Sequence, residues 1–126
     1  MAGKIVADTL EHSTAGSLDT QYVVNGSAKA WVNFDGTGTI AARDSLNLSG
    51  LTDVGTGRYT ITVSSAFGNA NYTAAGMSQD TSNGDFVGID SATAPTTTAF
   101  TFYNFTSASG VADTARVFVA FHGDLT

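Results

Sequence analysis

The sequence predicts an all-β domain, an antiparallel β-sandwich of about seven strands. Three observations predict it. Apolar residues recur with a period of two, clusters of Gly, Asn and Ser separate these runs at short intervals, and no window carries apolar residues at i, i+3, i+4 and i+7. Thr, Gly, Ser and β-branched residues dominate the runs, and all form helices less readily than Ala or Leu.

Along the chain, KIVADTL (Lys4 to Leu10) reads as a strand, whereas EHSTAGSLDT has no period and ends in a polar turn. Residues 1–25 therefore read as an N-terminal arm or anchoring segment, and residues 26–126 as the sandwich. AKAWVNF sets Ala30, Val32 and Phe34 against Trp31 and Asn33, with Trp31, the only tryptophan, expected in the core. SLNLSGL places Leu46 and Leu48 together. RYTITVS puts Tyr59, Ile61 and Val63 on one face and Thr60 and Thr62 on the other, as a half-buried strand does. Further strands are expected around Tyr72 (ANYTAAGM), Val87 (DFVGID), Thr98 to Phe105 (TAFTFYNF) and Ala115 to His122 (ARVFVAFH).

The last two strands bear on assembly. Phe100 and Phe102 fall opposite Tyr103 and Phe105, and Val117, Val119 and Phe121 fall opposite Phe118. An ordinary sandwich wets its outer faces, so aromatics on both faces predict that another subunit, or the N-terminal arm, covers Phe118, Tyr103 and Phe105.

Composition excludes several functions. A chain of 126 residues supports a single core. Only 13% of residues are charged, against about 25% in a typical soluble protein, so Thr, Ser, Asn and Gly make the surface. A net charge of -6 with five Lys and Arg argues against nucleic-acid partners. There is no cysteine for a disulfide or a thiolate metal site. Asp8 and Glu11 interrupt the N-terminal region where a signal peptide would be apolar, and no run approaches the ~18 residues of a membrane span. Export is thus expected through lysis or on a particle, without membrane insertion.

Two Gly-Thr-Gly steps, in FDGTGTIAARDS (Phe34 to Ser45) and DVGTGRY (Asp53 to Tyr59), invite a phosphate-binding reading. A P-loop needs Gly-Lys-Ser/Thr, and a dinucleotide fingerprint needs a third glycine and a helix to receive the pyrophosphate. Neither is present. Both copies read as hairpin turns, with Gly36 and Gly55 at positive φ and Asp35 and Asp53 capping their own turns.

The loop DTSNGDFVGID (Asp80 to Asp90) is rich in oxygen ligands but lacks the EF-hand register, so no metal site is expected. His12 and His122 stand near opposite ends without partners at ligand spacing. Asn25, Asn47, Asn71 and Asn104 begin Asn-x-Ser/Thr triplets, as chance provides in such a composition. Eleven carboxylates could include a glycosidase pair, but a small sandwich has little room for a cleft, and neither catalysis nor a cofactor is expected. The longest turn-rich connection, Asp80 to Thr98, is the candidate binding loop. Asn83, Asp85 and Asp90 are its candidate acceptors for sugar hydroxyls, and Tyr103 is a nearby stacking platform.

The block AWVNFDGTGTIAARDSLNLSGLTDVGTGRYTITVSSAFGNANY, Ala30 to Tyr72, resembles a module of tail-fibre and other virion proteins of tailed bacteriophages and prophages. That module runs AWVNF-x-GTGT, R-x-S-x-N-x-S, TD-x-GTG-x-YT and ANY in order. The preceding TLEHSTAGSLDTQYVVNGSAKAW is similar to the lead-in found in phages of marine bacteria and cyanobacteria. The resemblance covers roughly a third of the chain strongly and implies a homotrimeric β-rich knob at a fibre tip. Such a knob is located on the virion after assembly in the host cytoplasm, and contacts other virion proteins and a host-surface glycan or protein. The chain carries no coiled coil or collagen-like repeat. Two forms of attachment stay open: an anchoring arm in the first twenty-odd residues, or a separate capsid decoration or head fibre. An enzyme acting on host glycan is the third alternative.

Overall fold

The computed structural model describes residues 3–80 and 85–126. Among the described residues every paired strand is antiparallel, and the one helix is short.

The main sheet runs in the order β4 (Ala41–Leu46), β3 (Ala30–Asp35), β11 (Arg116–His122), β7 (Thr73–Gln79), β8 (Phe86–Ile89), β9 (Ala99–Thr106), β6 (Arg58–Val63), β5 (Leu48–Gly55). The short β10 (Gly110–Val111) adds to β9. Between β7 and β8 the ladder narrows to one pair, Met77 opposite Phe86. There the sheet folds over into a sandwich of two layers. The inner faces of β3, β11, β6 and β9 meet, with Phe34 edge-on to Tyr59 at 5.1 Å and Phe100 edge-on to Phe121 at 5.4 Å.

Alternation explains the core. In β3, β6 and β11 every second residue is buried: Ala30, Val32 and Phe34, then Tyr59, Ile61 and Val63, then Val117, Val119 and Phe121. Each large apolar side chain so buried contributes about 1.5–3 kcal/mol. No described residue before Ala30 belongs to this cluster.

SLNLSGL, expected as one strand, is a corner between two. Asn47 separates β4 from β5 with φ 57°, a left-handed conformation that Asn tolerates better than most residues. Its side chain holds the corner: Nδ2 donates to the carbonyls of Lys29 and Ser65, and Oδ1 accepts the Ser65 amide at 2.7 Å. Because β4 and β5 are the two ends of the sheet order, this corner draws the sandwich toward a barrel.

The N-terminal segment differs from its expected form. KIVADTL is extended only from Thr9, where β1 (Thr9–His12) pairs with β2 (Gly16–Asp19). EHSTAGSLDT, expected to be irregular, supplies most of this hairpin. Turn chemistry makes it: Gly16 adopts φ 98°, and His12 Nδ1 accepts the amides of Thr14 and Ala15. A seven-residue helix, α1 (Thr20–Gly26), follows. Across residues 3–27 no side chain is buried.

Candidate interaction surface

The two Gly-Thr-Gly steps are turns, and they converge on one end of the sandwich. Asp35 Oδ1 accepts the amide and the hydroxyl of Thr37, at 3.0 and 2.7 Å, while Asp53 Oδ1 accepts the Gly55 amide at 3.0 Å. Both capping expectations agree with the structure. The conformational one needs correction in part: positive φ belongs to Gly38 and Gly57, the second glycine of each step, and to Gly55, but not to Gly36. Gly36 is required for space, since a Cβ there would stand 2.5 Å from the Tyr59 hydroxyl. That hydroxyl lies 2.8 Å from both the Gly36 carbonyl and Asp113 Oδ1, and Asp113 Oδ1 also accepts the Gly57 amide at 2.6 Å. Burial, and then the Asp113 carboxylate, push the Tyr59 hydroxyl well above the usual phenol range. These backbone groups are thus turned inward to each other.

The acidic loop residues are likewise occupied by their own chain. Asp90 is 2% exposed and pairs with the guanidinium of Arg58 at 2.5 and 2.9 Å, besides accepting the Ala92 amide. The Ala92 amide and Arg58 hold its carboxyl below the ordinary range. Asp85 accepts the amides of Asp80 and Ser107, which fastens its loop to the end of β9. Asn83 lies outside the described residues. Tyr103 stands on the outer face of β9, with the Arg58 guanidinium 5.6 Å from its ring centre. Of the three described candidates, Asp90 and Tyr103 are joined through Arg58, which pairs with the one and lies over the ring of the other, while Asp85 is taken up by backbone amides.

What the fold does gather is an apolar belt on the outer face. Phe118 is opposite Asn33 on one side and Met77 on the other; Met77 is opposite Phe86, and Phe86 is opposite Phe105. Directly opposed residues project to the same face, so one row of side chains crosses five strands. Met77 is 70% exposed and Phe86 54%. Phe86 stacks on Phe105 at 5.0 Å, and Phe105 lies 6.1 Å from Tyr103. Gly88 makes room for this stack, since a Cβ there would come within 2.8 Å of the Phe105 ring.

Trp31, expected in the core, stands on this outer face instead. Alternation puts Ala30 and Val32 inward, so Trp31 must face out, beside Leu46 on β4 and Ala120 on β11. With Phe118, Met77, Ala75 and Ala120 it lines a shallow groove of about 590 Å³. The Asn33 side-chain oxygen lies in the same row, shielded from water and without a donor among the described residues.

No protein-family model, curated protein or solved structure matches the chain. Among the described residues no three His, Asp or Glu side chains are placed to share a metal ion, and no helix is long and apolar enough to cross a membrane. Phe118, Tyr103 and Phe105, selected from alternation in the last two strands, all lie on the belt. Met77, Phe86 and Trp31 complete it. Their signal was available only as pairing: each looks isolated in its own strand and becomes continuous once β7 and β8 are set between β11 and β9.

Proposed function

We propose that this chain is a bacteriophage virion structural protein, the trimeric β-sandwich knob of a tail fibre or adhesin that contacts the host surface. The observation that carries this reading is the apolar belt. A chain that is only 13% charged and otherwise coated in hydroxyls and amides gains nothing from leaving Phe118, Met77 and Phe86 in water, whereas subunit contact buries them. Self-association through Phe118, Phe105 and Tyr103 is the use that such a surface serves. The block from Ala30 to Tyr72, similar to phage virion modules, agrees with it.

Host contact is assigned to exposed turns, where residue changes leave the sheets intact. Within Asp80 to Thr98, Asp90 shapes the loop through Arg58, so recognition falls to the exposed hydroxyls around it and to Tyr103 at its edge. The chain acts by binding and not by catalysis.

A second reading, a capsid-decorating or head-fibre protein, is favoured by one feature: residues 3–27 bury no side chain and add nothing to the core. Such a segment suits an anchor to the shell. Electron microscopy of particles labelled with antibody to the purified protein tests both. Label at fibre tips is expected, label over the head supports decoration, and unlabelled particles overturn both readings.

A further inference from the structure

The belt is not alone among the described residues in leaving apolar side chains uncovered. The N-terminal segment does so as well, with Ile5 92% exposed, Val6 79%, Tyr22 62% and Val24 59%. Symmetry relates the two. A face that packs on its own copy generates a two-fold dimer, whereas a closed three-fold ring is built from a heterologous contact, in which one patch of each subunit meets a different patch of the next. This inference rests on the trimer reading, and that reading requires two complementary patches.

We propose that the N-terminal segment of one subunit lays its apolar side chains in the groove of the next, between Trp31, Phe118 and Met77. The segment is rooted beside that groove. Lys29 N donates to the Phe121 carbonyl at 2.8 Å, and His122 Nδ1 lies 3.1 Å from the Gly26 carbonyl. These residues are next to Ala120 and Trp31, which line the groove's end. The exit is stiffened as well: Ser27 donates through its amide and its hydroxyl to the Val23 carbonyl, and the Lys29 ammonium reaches the Val24 carbonyl. Held so, Tyr22 and Val24 remain exposed while their own chain's groove stays open beside them. A neighbouring subunit provides the missing surface for both. The groove is neutral as well as apolar among its lining residues, and therefore accepts Val and Tyr side chains without desolvating a charge.

The chain has no cysteine, so engineered thiols report contacts without background. V24C chains and M77C chains are co-expressed, oxidised and separated on a non-reducing gel, with linked peptides identified by mass spectrometry and assembly followed by light scattering. A Val24→Cys to Met77→Cys disulfide between different chains is expected, in a species of trimer mass. M77C to M77C links alone, or a trimer with no link, overturn the proposal while leaving the trimer reading intact. An intramolecular link in the V24C/M77C double variant also overturns it. A monomer removes both. In parallel, Tyr22→Asp with Val24→Asp, both exposed, is expected to leave the folded signal of the dilute chain unchanged and to weaken assembly at least tenfold; unchanged assembly contradicts the proposal.

Discussion

Met77 stands opposite Phe86, and this pair joins both the two layers of the sandwich and the two halves of its outer apolar belt. Both side chains are largely exposed in the single chain. Their position explains how a surface too scattered to notice strand by strand becomes continuous, and it provides the first test. Replacing Met77 by Lys removes no core contact, so the dilute chain is expected to hold its stability within about 0.5 kcal/mol. Assembly, followed by sedimentation over a concentration series, is expected to weaken tenfold or more. Unchanged association would show that the belt is not an interface.

The second glycines of the two Gly-Thr-Gly turns separate backbone strain from crowding. Gly38 and Gly57 have φ 60° and 59°, but a Cβ on Gly38 meets nothing, whereas one on Gly57 stands 2.6 Å from the Ala112 nitrogen. Gly38→Ala is expected to cost about 1–2 kcal/mol, the penalty of left-handed backbone alone. Gly57→Ala costs clearly more, because backbone must shift. Urea midpoints decide it, and equal losses would mean that the contact at Gly57 relaxes freely.

Tyr59 links the turn of Gly36 to Asp113. Tyr59→Phe keeps the ring in the core and deletes the hydroxyl, at a cost of about 1–2 kcal/mol. The folded state raises the titration of this hydroxyl. Its stabilisation is therefore complete below the ordinary phenol range near ~10 and is lost as pH rises beyond it, when the unfolded chain ionises first. Thermal midpoints of the native chain should fall above that range more steeply than those of Tyr59→Phe, and parallel curves would contradict this.

Asp90 and Asp35 work in the opposite direction. The Ala92 amide and Arg58 lower the first, and Thr37 and Arg43 lower the second. Folding favours their charged forms, so their contribution is complete above the usual carboxylate range near ~4 and is lost as pH falls through the folded values. Asp90→Asn is expected to be less stable at neutral pH and to lose less on acidification between pH ~5 and ~2. An unaltered acid slope would show that the Arg58 pair does not couple to folding.

Much of this architecture was legible in the chain because burial writes itself as alternation. Tyr59, Ile61 and Val63, or Val117, Val119 and Phe121, face inward as a period of two requires, and Asp35 and Asp53 cap turns because short carboxylates do so locally. Long-range geometry hid the rest. Nothing near Asn47 says that one strand becomes two, since its partners Lys29 and Ser65 are each eighteen residues away. Trp31 looked like core by size, but the parity of Ala30 and Val32 sends it outward. Asp90 looked like a ligand acceptor until Arg58, distant in sequence, was brought against it. The N-terminal hairpin depends on the His12 ring accepting turn amides, a signal without periodicity.

Burial of the outer belt between identical subunits is what the proposed assembly requires. Light scattering on the purified full chain tests it most directly, run beside Phe118→Asp at the same concentrations. Three times the chain mass is expected for the native protein, and a shift toward single chains for the variant. A native protein that stays monomeric and folded at high concentration, with Phe118 and Met77 in water, would contradict it.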